Sequence, residues 1–191
     1  MNKTLALVLL LVATPVLAHP GHAGSPLQDG LLHPLTGLDH LLMLLGTGVL
    51  AALSGRNLVM PVITLALMFC GALLGHVFGE GAGVEQMILL SLMVLSAGLL
   101  LPRRQVLLLV VMPLFALFHG WAHGAEAGAD GFWLFSAGFM VASGMLLAVG
   151  FAAGCVLARH SALRTWCAGG VLAGAAMVLS LIHISEPTRP Y

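Results

Sequence analysis

The few charges in this chain fall between long apolar runs, and their sign alternates from one gap to the next. Arg56 is followed by Glu80 and Glu85, then Arg103 and Arg104, then Glu126 and Asp130, then Arg159 and Arg164. Runs of about 17–25 residues with almost no charge are long enough to cross a bilayer as helices. Surrounded by lipid, such a run can satisfy its backbone polar groups only within itself, which makes it helical. Six such spans are predicted: Leu35–Leu53, Leu58–Phe78, Gln86–Leu101, Val106–His123, Phe132–Leu157 and Thr165–Ile184. Loops rich in Lys and Arg stay on the cytoplasmic side, so the arginine gaps are inside and the acidic gaps outside.

Composition agrees with that reading. Of 191 residues, 60% are hydrophobic and 7% charged, and the mean hydropathy is +1.06. A soluble domain has no use for so much apolar surface. The formal net charge is zero, so there is no field to attract nucleic acid, and the bilayer is the partner. Cys70, Cys155 and Cys167 lie in or beside apolar runs without CxxC spacing. They read as small packing residues rather than as disulfides or thiolate ligands.

Met1 to Ala18 has Lys3, an apolar stretch from Leu5 to Val12, and Val16-Leu17-Ala18 as a small-residue cleavage site. It reads as a signal peptide, with an uncleaved first helix as the alternative. Cleavage leaves His19-Pro20-Gly21-His22 at the mature terminus, followed by an outer arm up to Pro34. The expected architecture is therefore an all-α polytopic integral membrane helix bundle, with about six transmembrane helices after a signal peptide. Short connections predict antiparallel hairpins between consecutive helices. Glycines inside the spans, among them Gly71 and Gly75, predict close helix packing. A weak parallel repeat is also expected. In it Gly75-His76 and the following Ser96-Ala97-Gly98 are echoed by Ala122-His123 and Ser136-Ala137-Gly138.

Against this topology His33, His40, His76, His119 and His123 all fall at the outer ends of spans. Asp39 and His40 lie in the opening turns of the first span, where an ionised Asp needs a compensating partner. Two readings stand for Asp39: a metal-directed carboxylate, or a charge favoured by a helix N-terminus. His119 and His123 are four residues apart and share a helix face. Two imidazoles one turn apart can chelate a divalent ion, with Glu126 joining them or orienting a ring. His76 alone has an equally good reading as a tolerated interfacial residue, and His160 reads as an ordinary loop residue. Imidazole with carboxylate and no clustered thiolate suits Ni²⁺, Co²⁺, Zn²⁺ or Cu²⁺. The methionines, scattered along apolar helices, read as adaptable packing rather than a copper path. A single HxxxH is too little for a di-iron oxygenase, and a haem held by paired histidines remains a further alternative. In the inner half the polar residues are hydroxyls: Thr47, Ser54, Thr64, Ser91 and Ser96.

The stretches His19-Pro20-Gly21-His22, His33-Pro34-Leu35-Thr36-Gly37-Leu38-Asp39-His40-Leu41-Leu42 and His119-Gly120-Trp121-Ala122-His123-Gly124-Ala125-Glu126 together resemble the HupE/UreJ family of bacterial inner-membrane proteins. The resemblance runs from the signal peptide through the sixth span. It implies a small multi-pass nickel or cobalt permease, associated with hydrogenase and urease, that is not an enzyme and has no permanently bound cofactor. It also implies that His33, Asp39, His40, His119, His123 and Glu126 handle the metal; His19 and His22 on the arm, and His76 by its place at the end of a span, are further candidates. Its partners are then the bilayer and a divalent ion, with a homo-oligomer left open. A metal sensor or metallochaperone anchor without transport is the rival reading. From Leu181 the chain departs from the family's hydrophobic ending, and the tail 185–191 reads as non-native, like translated adapter sequence.

Topology provides the first test. Cysteine-labelling tags should be accessible from outside at both ends of the mature chain and shielded at Arg103 and Arg104. Labelling of Arg103 and Arg104 from the outer face would reverse the assignment.

Overall fold

A computed structural model describes residues 25–55, 57–100, 105–127, 130–160, 165–166 and 169–176. The signal-peptide stretch, His19, His22, the Arg103–Arg104 gap, Cys167, half of the sixth span and the tail lie outside the described residues. Six helices lead to the site: α1 Pro26–Thr36, α2 Leu38–Leu53, α3 Val59–Phe78, α4 Val84–Leu100, α5 Gln105–Glu126 and α6 Phe132–Leu157. Residues 169–176 are also helical, and Val171 and Ala175 there join the buried core. Together these helices form an all-helical membrane bundle. Helices α3 and α6 and the Leu107–Glu126 part of α5 are long and apolar enough to cross a membrane, and the α1–α2 pair is so only when taken together, as a broken span or a re-entrant loop. At 17 residues, α4 is ~25 Å long, short of a ~30 Å hydrocarbon core.

Part of the stretch expected to be an outer arm before Leu35, from Pro26 onward, is helical. Helix α1 starts at Pro26, with the preceding Ser25 side chain accepting a bond from the Gln28 N–H. Proline is suited to this first helical position because its missing N–H would have no partner there anyway. The chain then bends by 75° between α1 and α2. Gly37 is extended at the break, and Thr36 turns its hydroxyl back to donate to the His33 carbonyl. Asp39 is thus in the first turn of α2, just after the break.

Consecutive helices are not the main partners. The most extensive contacts join α3 to α5, α2 to α6 and α1 to α6. A methyl group on Gly71 would overlap the Leu117 carbonyl, one on Gly75 the Trp121 carbonyl, and one on Gly120 or Gly124 the carbonyl of Met68 or Ala72. Residue numbers rise together on both helices, so α3 and α5 run parallel, interlocked through two small-xxx-small stripes. The α1–α2 pair follows α6 in the same way. Gly30 faces Phe135 before the break, Gly48 faces Leu147 after it, and Gly138, Gly150 and Gly154 face Leu27, Leu45 and Val49 in return. From Gly30 to Gly48 the chain advances 18 residues while its contact on α6 advances 12, from Phe135 to Leu147, so the bend takes up six residues of register.

Two smaller expectations are also corrected. Ser96 lies late in α4 whereas Ser136 lies in the second turn of α6, so the proposed echo does not occupy equivalent positions. Cys70 is an exposed free thiol on α3 rather than a packed core residue. The methionines divide: Met43, Met60, Met68 and Met112 fill the core, while Met93 and Met145 face outward with Val62, Val77 and Trp133. In a bilayer that apolar exterior meets lipid.

Because the α3–α5 contact leaves no room for a side chain, Gly120→Ala should push the helices apart and cost about 1–3 kcal/mol, as overpacking does. Gly144→Ala, whose added carbon would sit 3.7 Å from a Leu65 methyl, should be near neutral. Thermal unfolding of both variants in detergent checks this.

Candidate metal centre

The broken first span carries His33 on one side of the bend and Asp39 and His40 on the other. Gly37 between them is placed so that an added Cβ would come within 3.1 Å of an Asp39 carboxylate oxygen and 3.6 Å of His40 Nδ1. Its φ is ordinary at −82°, so glycine is suited here by space and not by backbone conformation. From the facing side, α5 presents His119 and His123 on one stripe one turn apart, with Glu126 at its last residue.

These side chains meet. His40 Nε2 lies 3.0 Å from His119 Nδ1 and 2.6 Å from His123 Nε2. On the other edge of its ring, His40 Nδ1 is 3.2 Å from an Asp39 carboxylate oxygen. Glu126 is 3.2 Å from His123 Nδ1 and 3.6 Å from His33 Nε2. The His33 and His123 rings sit edge to face, with centroids 4.2 Å apart. Two ligand sets result: an outer one of His33, His123 and Glu126, and an inner one of Asp39, His40 and His119. They meet at the contact between His40 and His123.

Burial rises inward through the site. The Glu126 side chain is 60% exposed and His33 35%, whereas His40, His123 and His119 are buried. Phe139 of α6 packs against the His40 and His123 rings. A cavity of ≈ 290 Å³ opens onto the cluster, lined by His33, Asp39, His40, Glu85, His123 and Glu126. A second of ≈ 300 Å³ lies beside it and shares Glu85 and Glu126, adding Glu80 and Trp121. Its wall is held by the Trp121 indole N–H, which donates to the Gly79 carbonyl at 2.9 Å. The mouth of the site is therefore acidic and its floor imidazole. Carboxylates concentrate cations at an opening, and neutral imidazole is a good ligand for first-row divalent metals.

Of the residues singled out in the sequence, His33, Asp39, His40, His119, His123 and Glu126 come together here. His76 does not. It is exposed at the end of α3, its ring stacked on Phe132 at 4.0 Å between centroids. His160 also lies apart on the surface. Sequence reasoning missed the part played by Ser91, which it grouped with the inner hydroxyls. The Ser91 hydroxyl is fully buried and lies 2.9 Å from His119 Nε2. A serine inside an apolar span must find a partner within the bundle, and that was the available signal. Glu85, read as a loop charge, lines both cavities.

Comparison with known proteins bears on the whole chain. No solved structure matches it. Protein HupE of Rhizobium leguminosarum bv. viciae is 33% identical over 195 residues, which cover 90% of this chain and 95% of that protein. The family model described as HupE / UreJ protein matches residues 7–179, almost the entire span from the first apolar run to the last. A membrane-embedded helix bundle with this likeness along its length belongs to the HupE/UreJ family.

Proposed function

We propose that this protein is a permease of the bacterial inner membrane that takes up nickel, with cobalt as the close chemical alternative, for metalloenzyme maturation. The observation that carries this reading is the convergence of four imidazoles and two carboxylates from two separate spans at the foot of an acidic mouth. The ion is cargo, not a resident cofactor, and the protein is not an enzyme. His33 and Glu126 form the approach from the periplasmic side, and the deeper site is built from Asp39, His40, His119 and His123. His19 and His22 serve as a capture arm, while His76 takes no part. Uptake needs no nucleotide, because a doubly charged ion moving inward gains about 4.6 kcal/mol per 100 mV of membrane potential.

One observation favours a second reading, a membrane-anchored metal sensor or metallochaperone without transport. Among the described residues, the buried polar groups away from the cluster are hydroxyls: Thr47, Thr64, Ser96, Ser136 and Ser143. Proteoliposomes containing a metal-sensitive dye separate the two. Ni²⁺-dependent signal from inside the vesicles supports the permease, whereas surface binding with no internal signal supports the sensor.

In that assay His40→Ala, His119→Ala and His123→Ala should each lower uptake by more than ~100-fold, beyond the loss usual for an outer-sphere partner. Protein abundance should stay near normal, and His160→Ala should behave as wild type. Wild-type uptake in the His40 variant would remove it from the site. External pH is a further probe. Ligation needs neutral imidazole, so protons compete with the metal. Uptake should fall as the external medium is made acidic, and added Ni²⁺ should restore part of it. The His119→Gln, His123→Gln double variant should lose that dependence together with its uptake.

A further inference from the structure

Proton bookkeeping over the buried cluster divides ligands from orienting groups and brings in a residue outside both ligand sets. The Ser91 hydroxyl donates to the Ile88 carbonyl at 2.6 Å. A carbonyl has no proton to give, so the single hydroxyl proton is used there. His119 Nε2, 2.9 Å from the same oxygen, must therefore supply the proton of that contact. A neutral imidazole has one N–H, which leaves His119 Nδ1 a bare lone pair.

The same logic applies to the other two rings. Ionised carboxylates only accept, so His40 Nδ1 donates to Asp39 at 3.2 Å and His123 Nδ1 donates to Glu126 at 3.2 Å. Their Nε2 atoms are then bare as well. These bare atoms are the ones that converge: His40 Nε2 lies 3.0 Å from His119 Nδ1 and 2.6 Å from His123 Nε2. The bare His40 Nε2 thus faces two other bare nitrogens, lone pairs that repel, and a cation among them removes the repulsion. Two nitrogens each ~2.1 Å from one ion at a right angle lie ~3.0 Å apart, a spacing close to that observed.

We propose that the ion is held by a single tri-imidazole centre made of His40 Nε2, His119 Nδ1 and His123 Nε2, and that Ser91 is a positioning residue that sets the His119 tautomer. Resting on the metal-binding reading above, this assigns Asp39 and Glu126 to orienting rings rather than to ligation. Each ring then has an acceptor behind it, the arrangement by which outer partners fix ligand tautomer and direction. The acceptor is a carboxylate for the two rings nearer the mouth. For His119, fully buried, it is a neutral hydroxyl tied to the helix backbone, which spares the interior another charge.

The test uses the full chain in detergent, loaded with Ni²⁺, with affinity measured by titration and imidazole number by X-ray absorption. Wild type should show three imidazoles. Ser91→Ala should weaken Ni²⁺ binding by about 10–100-fold and show two, because an unanchored His119 ring turns away. General destabilisation would leave the bound fraction with three. Asp39→Asn, whose amide oxygen still accepts from His40, should keep three imidazoles. Unchanged affinity with three imidazoles in Ser91→Ala overturns the role of Ser91. Two or fewer imidazoles in wild type, or loss of an oxygen ligand in Asp39→Asn, overturns the tri-imidazole centre while leaving metal binding intact. No Ni²⁺ binding by wild type removes the functional reading as well.

Discussion

Glycine against a backbone carbonyl is the contact on which this bundle depends. Lipid offers no hydrophobic drive between helices, so association comes from close packing and from polar groups that meet across the interface. Gly71 and Gly75 against α5, answered by Gly120 and Gly124 against α3, allow two parallel helices to approach backbone to backbone. Gly30, Gly48, Gly138, Gly150 and Gly154 do the same for the broken first span and α6. These seams set the position of α5 and of the first span, and with it the distance between His40 and its partners. The histidines sit directly within the seam on α5, His119 beside Gly120 and His123 beside Gly124.

The break at Gly37 gives the site its depth. An unbroken helix from Pro26 to Leu53 would be one long span with His33 and His40 two turns apart on one face. Instead the 75° bend leaves His33 near the mouth and buries His40, while Asp39 stays close enough to hold the His40 ring. Discontinuous helices lining a cavity are a recurrent way to place polar groups within a membrane, because irregular backbone is tolerated there and not against lipid. The result is a gradient from an exposed acidic mouth to a buried cluster of imidazoles.

Polar residues along such a route cannot be indifferent to one another. Each buried imidazole contacts at least two other polar groups, and Phe139 closes the side that faces α6. In low dielectric an unsatisfied member of such a network is costly, so the network is all or nothing. This is why a hydroxyl as remote in sequence as Ser91 belongs to the site as much as the histidines do.

Much was legible in the sequence because it rests on local or one-dimensional physics. Charge alternation and apolar length show a multi-pass helical protein, and the bounds of Phe132–Leu157 were read without error. The pairing of His119 with His123 followed from helical periodicity, and the Gly71–Gly75 spacing correctly indicated packing. What the sequence did not show depends on contacts between distant segments. Helix α1 looks like an arm because Pro26, Asp29 and Pro34 give it weak helical character; packing on α6 holds it as a helix. Parallel pairing of α3 with α5 overrides chain neighbourhood, since complementary glycine stripes gain more contact than a short hairpin loop can impose. His76 and His123 look alike on the page, yet one stacks on Phe132 at the surface while the other is buried. Which imidazole meets which carboxylate, and that a serine from α4 reaches His119, was decided by the tertiary structure alone, because hydrogen bonds are set by positions in space to within tenths of an ångström and helical periodicity carries no information across helices.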